Sequence, residues 1–206
     1  MTKPGLLLIG AGGHAKSCID VIEQEDKFQI IGLVGSPNEV GAQVLGYEVL
    51  GTDEGLKELL NLSKFALIAV GQVGTNGLRS TLFSKIANIG FKIPVIVSPM
   101  AYVSPHSTIG IGTVIMHRAT INAGAKIGIN CIINSHALIE HDVNVEDHCH
   151  IATSATINGG STVGKSSFVG SGTTIRESIT IGHSCSIGMG MSVRHDLPPN
   201  SQFVGE

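Results

Sequence analysis

Two different periods of hydrophobic residues divide the chain near residue 98. Through residue 97, short apolar runs alternate with amphipathic stretches whose apolar residues recur every three or four positions. Strands that alternate with helices in this way are typical of βαβ units, so we predict a small Rossmann-like α/β domain. The predicted strands are Leu6–Ile9, Gln29–Val34, Tyr47–Leu50, Phe65–Val70 and Lys92–Val97, and the predicted helices are His14–Glu25, Glu54–Leu62 and Gly77–Ile89.

A strict six-residue period replaces this pattern after Pro99. Ile or Val occupies every sixth position from Val103 to Val193, sixteen positions in all, and the residue two places before each is mostly small. This period is typical of a parallel β-helix, in which three repeats of one short strand and one turn form a coil of about 18 residues. Gly or Asn often follows the aliphatic residue, and we expect these residues to adopt the unusual backbone angles of the turns. We predict domains at residues 1–98 and 99–206.

The composition agrees with a narrow core and excludes several classes of protein. The 206 residues include 27 Gly and only 8 aromatic residues (6 Phe, 2 Tyr), with 42% hydrophobic and 14% charged residues. Such apolar content excludes wholesale disorder. The formal net charge of −3 gives no electrostatic case for nucleic acid, and no apolar run is long enough for a membrane span. Cys131, Cys149 and Cys185 lie in the small inward column, so we expect packed thiols in a cytoplasmic protein.

A glycine turn lies between the first strand and the first helix. Gly10-Ala-Gly12-Gly13-His14 is in the right place to hold a phosphate or diphosphate at a helix N-terminus, although it could also serve strand–helix packing alone. The second strand ends in Val34-Gly35-Ser36, without the acidic residue that would hold the ribose of NAD, which favours another phosphate-bearing ligand. The segment 159–166 matches the phosphate-loop pattern, but it lies within the six-residue register, so we expect no nucleotide there.

A cluster of polar residues lies within the six-residue repeats. It comprises Asn134, His136, Glu140, His141, Asp142, His148 and His150. An outward-facing histidine is usually only solvated, but a neighbouring carboxylate would let His141 act as a general base near neutral pH. The alternative is a metal site; the histidine spacings of five, seven and two match no familiar zinc pattern, so we expect no metal.

Together, the glycine turn, the six-residue array and the Ile139-Glu140-His141-Asp142 motif resemble the left-handed β-helix sugar acetyltransferases. The similarity lies with the sialic acid O-acetyltransferases and the N-acetyltransferases of nucleotide-linked 4-amino-4,6-dideoxy sugars, and it extends to the closing segment that contains Phe203-Val204-Gly205. The resemblance implies a homotrimer with active sites between adjacent β-helices and acetyl-CoA as co-substrate.

The resemblance also implies roles for individual residues. His141 would be the catalytic base, with Asp142 beside it and Asn134 as a nearby polar group. His150 would contact acetyl-CoA near the thioester, and the Gly159 N–H would meet the acetyl oxygen. The nucleotide sugar would bind at Gly12, Gly13, His14, Gly35 and Ser36.

The chain departs from relatives of the amino-sugar type at two places. They often carry Glu where this chain has Asp142, and they commonly have acidic residues after the second strand, where Gly35-Ser36 is uncharged. The expected reaction is acetyl transfer to the 4-amino group of a dTDP- or UDP-linked sugar. The alternatives are O-acetylation of sialic acid or a related sugar hydroxyl, and a non-catalytic β-helix binding subunit.

Overall fold

The computed structural model describes residues 3–74 and 77–204; Gly205, part of the closing segment noted above, lies outside them. The chain divides into two compact units, one from residues 1–71 and 78–96 and the other from residues 72–77 and 97–206. Among the described residues, none of the helices has the length and apolarity that a membrane crossing requires.

Within the described residues, the first unit is a Rossmann-like sheet with three α-helices. Its strands follow the order β3-β4-β2-β1-β5, and all the pairings are parallel except that of β3 with β4. The strands are β1 (Gly5–Ile9), β2 (Gln29–Val34), β3 (Gln43–Val44), β4 (Tyr47–Gly51) and β5 (Phe65–Ile68), and the helices are α1 (Gly13–Glu25), α2 (Leu56–Leu59) and α3 (Leu78–Ile89). Leu6, Leu7 and Leu8 are fully buried, which places β1 at the centre of the core.

Three elements of this unit differ from the sequence-based expectation. The predicted helix Glu54–Leu62 is a 3₁₀ turn at Asp53–Gly55 followed by the single α-helical turn of α2. The predicted strand Lys92–Val97 is wrong over most of its length, since only Ile96–Val97 forms a strand and Lys92 makes an isolated bridge to Phe65. Strand β3 is an additional two-residue strand that pairs with β4.

The second unit consists of three parallel sheets of two-residue strands. One sheet has the order β22-β19-β16-β13-β10-β7, the second β20-β17-β14-β11-β8 and the third β23-β21-β18-β15-β12-β9-β6. The strands are β6 (Ile96–Val97), β7 (Tyr102–Val103), β8 (Thr108–Ile109), β9 (Val114–Ile115), β10 (Thr120–Ile121), β11 (Lys126–Ile127), β12 (Ile132–Ile133), β13 (Leu138–Ile139), β14 (Asn144–Val145), β15 (His150–Ile151), β16 (Thr156–Ile157), β17 (Thr162–Val163), β18 (Phe168–Val169), β19 (Thr174–Ile175), β20 (Thr180–Ile181), β21 (Ser186–Ile187), β22 (Ser192–Val193) and β23 (Gln202–Phe203).

The register shows one coil for every three repeats. Ile133 pairs with Ile151, and Ile121 pairs with Ile139, so that each aliphatic residue lies against its counterpart 18 residues along the chain. The aliphatic column and the small column beside it form one buried core, which includes Cys131, Cys149 and Cys185. The predicted parallel β-helix and the packed thiols are therefore confirmed.

The prediction for the turns is wrong in its details. Left-handed backbone angles recur every sixth residue from Gly112 to Gly190, three positions after the aliphatic residue and not directly after it, and residues such as Arg118 and His136 adopt them. The glycines that directly follow the aliphatic residue have a different function. A Cβ on Gly164 or Gly170 would lie 2.5–2.6 Å from the backbone of the next coil, so these glycines permit close stacking.

Candidate active site

An exposed histidine–carboxylate pair lies in the turn between β13 and β14. Nδ1 of His141 lies 2.9 Å from Oδ2 of Asp142, and the two side chains are 67% and 72% exposed. Because an ionised carboxylate only accepts hydrogen bonds, Nδ1 carries a proton, and in the neutral ring Nε2 presents a lone pair. The hydrogen bond to Asp142 raises the pKa of His141 above its ordinary value. The pair therefore has the arrangement of a general base with an orienting carboxylate.

Glu140 fixes the backbone on which this pair is mounted. Its Oε2 accepts hydrogen bonds from Nδ2 of Asn122 at 2.9 Å and from the backbone N–H of His141 at 3.2 Å. Asp142 itself has a left-handed φ of 59°, a conformation that Asp tolerates better than most residues. In the Glu-His-Asp motif, Glu140 thus holds the backbone and Asp142 orients the ring of His141.

Gly159 provides the space beside the His141 ring. It lies one coil after His141, and a Cβ built on it would be 2.7 Å from both Nε2 and Cε1 of that ring. Within the described part of the chain, no hydrogen bond engages its N–H. Gly159 therefore leaves room for the ring of His141 and keeps a backbone donor without a partner among the described residues.

Asn134 and His150 form a second polar group. The carbonyl oxygen of Gln72 lies 2.5 Å from Nδ1 of His150, and Nδ2 of Asn134 lies 3.2 Å from Nε2 of the same ring. Since a carbonyl only accepts, Nδ1 carries the proton and Nε2 accepts from Asn134. His150 is buried, its ring packs edge-on against Phe168, and both its ring nitrogens are engaged within the chain. This arrangement suits a residue that orients Asn134 better than one that touches a ligand itself.

The two polar groups lie at different places on the β-helix. His141 lies where the sheet of β13 passes to the sheet of β14, whereas His150 belongs to the sheet of β12 and β15 and Asn134 directly follows β12. The structure therefore brings His141, Asp142 and Gly159 together, and separately Asn134 and His150. A single chain does not assemble all five into one contact network.

The predicted substrate residues of the first unit line one cavity. The cavity has a volume of about 380 Å³ and is lined by Gly12, Gly13, His14, Gly35 and Ser36, together with apolar residues at the carboxyl ends of β1, β2 and β5. The N-terminus of α1 opens onto it, with Gly12 as the N-cap. A helix N-terminus at the carboxyl edge of a parallel sheet is a favourable place for phosphate.

Sequence reasoning missed two charged residues of this cavity, Glu39 and Asp53. Glu39 lines it, and its carboxylate turns back to the end of β2, where Oε2 accepts hydrogen bonds from the backbone N–H of Ser36 at 2.8 Å and from its Oγ at 2.7 Å. These hydrogen bonds lower the pKa of Glu39. The Ser-x-x-Glu spacing is the sequence signature of a capping box and could have revealed this arrangement.

The two remaining histidines of the cluster, His136 and His148, occupy positions set by the β-helix itself. His148 is buried with its Nδ1 2.9 Å from Nδ2 of Asn130, and His136 occupies a left-handed turn position. Among the residues that the structure describes, no group of three His, Cys, Asp or Glu side chains is placed to hold a metal ion.

Comparisons with known proteins decide the family. The PglD N-terminal domain family matches residues 5–86. A structure of a perosamine N-acetyltransferase variant from Caulobacter crescentus, in complex with CoA and GDP-perosamine, is 31% identical with a TM-score of 0.92, and the match covers 99% of this chain and 95% of that chain. The acetyltransferase domain of PglB from Neisseria gonorrhoeae FA1090, in complex with acetyl coenzyme A, is 30% identical with a TM-score of 0.89 over 99% of this chain and 97% of that chain. This chain belongs to the left-handed β-helix sugar acetyltransferases. A sequence comparison with curated proteins finds no match.

Membership of this acetyltransferase family confirms the predicted fold, an α/β Rossmann-like unit followed by a left-handed parallel β-helix. It also gives the exposed His141–Asp142 pair a chemical context, because acetyl transfer needs a base for the attacking group. The roles of the individual residues stay predictions.

Proposed function

We propose that the protein transfers the acetyl group of acetyl-CoA to the 4-amino group of a nucleotide-linked 4-amino-4,6-dideoxy sugar. The observation that carries this proposal is the exposed His141–Asp142 pair, in which Nδ1 lies against the carboxylate and Nε2 lies beside Gly159. Solved relatives that cover nearly the whole chain support the substrate class, since one was crystallised with CoA and GDP-perosamine and another with acetyl coenzyme A.

The residues of this chain support a direct transfer. As the sugar nitrogen bonds to the acetyl carbon, Nε2 of His141 accepts the proton that the nitrogen loses, and Asp142 stabilises the resulting imidazolium through Nδ1. The N–H of Gly159 donates to the carbonyl oxygen as negative charge develops on it. When the carbon–sulfur bond breaks, the imidazolium returns the proton to the departing CoA thiolate.

We place the nucleotide in the cavity of the first unit, with its diphosphate at Gly12, Gly13 and His14 and its nucleoside towards Gly35 and Ser36. Asn134 lies at the acetyl site, and His150 acts there through its hydrogen bond to Asn134.

The separation of the two polar groups on the β-helix supports a site shared between chains. A homotrimer would set the His141 turn of one copy beside the Asn134 face of the next, as the family resemblance implies. Sedimentation equilibrium should therefore give three times the chain mass. All four cysteines are free thiols, which suits a reducing compartment, and we place the reaction in the cytoplasm.

A thiol-release assay tests the proposal. CoA release should occur with acetyl-CoA and a GDP-, UDP- or dTDP-linked 4-amino sugar. All four cysteines are buried, which keeps the background reaction of the thiol reagent low. His141→Ala should lower kcat by about 10²–10⁴-fold while CoA binding persists, because it removes only the base.

Three outcomes would contradict the proposal. Release with sialic acid alone would identify an O-acetyltransferase. Nucleotide binding without release from any acceptor would indicate a non-catalytic subunit. A wild-type rate for His141→Ala would exclude His141 as the base.

A further inference from the structure

An acidic side chain lies beside the end of strand β2, although the residues that directly follow the strand in the sequence are uncharged. In Rossmann-like folds, an acidic side chain near the end of the second strand accepts a hydrogen bond from the ribose. Here the strand ends in Val34 and continues as Gly35-Ser36, but the carboxylate of Glu39 turns back onto Ser36. A residue further along the loop therefore provides a carboxylate at the expected place.

Gly35 brings this carboxylate close to the glycine turn. A Cβ on Gly35 would lie 2.9 Å from Oε2 of Glu39 and 3.2 Å from Cβ of Ala11, so both atoms border the same small space. Ala11 directly precedes Gly12, the N-cap of α1. The ribose is the part of a nucleotide next to the diphosphate, so a diphosphate at this N-terminus would bring its ribose near Glu39.

Hydrogen bonds fix the carboxylate of Glu39 through one of its two oxygen atoms. Both hydrogen bonds that the described part of the chain gives to Glu39 end on Oε2, which leaves Oε1 for a ligand. The donors from Ser36 keep Glu39 ionised, and an ionised carboxylate is purely an acceptor. A neighbouring hydroxyl is a suitable donor, whereas a phosphate would be repelled.

We propose that Glu39 accepts a hydrogen bond from the ribose 2′-hydroxyl, so that the acceptor sugar of this enzyme is linked to a ribonucleoside diphosphate and not to a 2′-deoxyribonucleoside diphosphate. This inference rests on the proposed function. It selects GDP- or UDP-linked over dTDP-linked sugars, because dTDP presents no 2′-hydroxyl to the carboxylate.

Asp53 is the competing acceptor in the same cavity. It lies in the 3₁₀ turn after β4, and its Oδ2 is 2.7 Å from Nζ of Lys85. The ammonium group offsets the negative charge of Asp53, whereas Glu39 has only neutral donors from Ser36. Glu39 is therefore the stronger candidate for an uncharged hydroxyl.

Calorimetric titration of the full chain with two nucleotide pairs tests the assignment. UDP and 2′-deoxy-UDP differ only in the hydroxyl in question, as do GDP and 2′-deoxy-GDP. We expect the wild type to bind each ribonucleotide about 10- to 100-fold more tightly than its deoxy form, the range for a hydrogen bond to a charged acceptor. In Glu39→Ala the two forms should bind with nearly equal affinity.

Two further variants separate a contact from a structural effect. Glu39→Gln keeps a carbonyl oxygen for Ser36 but removes the charge, so it preserves the turn while reducing the ribose preference. Asp53→Asn should retain the wild-type ratio of the two dissociation constants. A purely structural Glu39 would weaken both forms equally in the variants and leave the ratio unchanged.

The outcomes distinguish this inference from the proposed function. Equal affinity of the wild type for UDP and 2′-deoxy-UDP would overturn the assignment of the ribose contact to Glu39 and leave the proposed function standing. The same holds if Asp53→Asn abolishes the ratio of the two dissociation constants and Glu39→Ala does not. A protein that bound none of the four nucleotides would overturn the proposed function as well.

Discussion

Replacing Gly159 with alanine should separate catalysis from stability. A methyl group there would lie 2.7 Å from Nε2 and Cε1 of His141 and 3.2 Å from Cδ2. Carbon atoms in contact prefer about 3.5–4.0 Å, so the ring must retreat by roughly 0.8–1.3 Å. Gly159 is not among the glycines with a left-handed φ, so alanine causes no backbone strain of that kind.

The size of the expected effect follows from where the displaced atoms are. His141 is 67% exposed, so its ring can move into solvent, and the free energy of unfolding should change by no more than about 0.5 kcal/mol. The same movement takes Nε2 away from the attacking amine. A misplacement of about 1 Å lowers the rate by on the order of 10²-fold. We therefore expect kcat to fall by about 100-fold at an unchanged Tm.

Steady-state thiol release and thermal unfolding measure the two quantities on the same preparation. Gly55→Ala is the matched control, since its added methyl would meet no atom within 4 Å and its backbone φ of −86° suits alanine. The control should show wild-type kcat and Tm. A wild-type kcat for Gly159→Ala would refute the catalytic position of the His141 ring, and a large loss of Tm would refute the idea that the ring is free to move.

Two further predictions concern the pH profile and the core. Asp142 raises the pKa of His141, and the base must be neutral, so kcat/KM should rise with pH through this raised pKa. The variant Asp142→Asn should move this rise to lower pH, and an unchanged pH profile would contradict the pairing of Asp142 with His141. Ile151→Ala removes a fully buried side chain between Ile133 and Val169, so it should lower the free energy of unfolding in urea by about 2–5 kcal/mol. A change below about 1 kcal/mol would mean that the neighbouring aliphatic side chains close the cavity.

The architecture of the second unit was predictable because one physical constraint repeats in the sequence. Each coil offers the same narrow interior, so Ile or Val and a small partner must recur at a fixed spacing, and the spacing gives the coil length. The turn angles were not predictable in the same way. Arg118 and Ser154 take left-handed angles because the corner of the coil imposes them, although neither side chain favours that conformation.

Short or irregular elements of the first unit were harder to predict because they depend on pairing with distant parts of the chain. The apolar residues between Lys92 and Val97 suggest a strand, but Lys92 finds only a single bridge to Phe65. Strand β3 exists through a tight hairpin at Leu45 and Gly46, both with positive φ, and Leu at such a position gives no turn signal. In both cases the available pairing partner decided the structure, and a single sequence does not show that partner.

Some contacts in the candidate site follow from the repeat and could be predicted, whereas others depend on the tertiary fold and could not. Once the coil length is known, the position of Gly159 beside His141 follows, because the two residues are one coil apart. The hydrogen bond from His150 to the carbonyl of Gln72 has no such regularity, since it joins residues 78 positions apart. Yet this bond fixes which nitrogen of His150 carries the proton and thereby makes the other nitrogen an acceptor for Asn134. A motif identifies the histidine, but only the fold shows that its nitrogens are already engaged, and this is why we assign His150 to positioning Asn134.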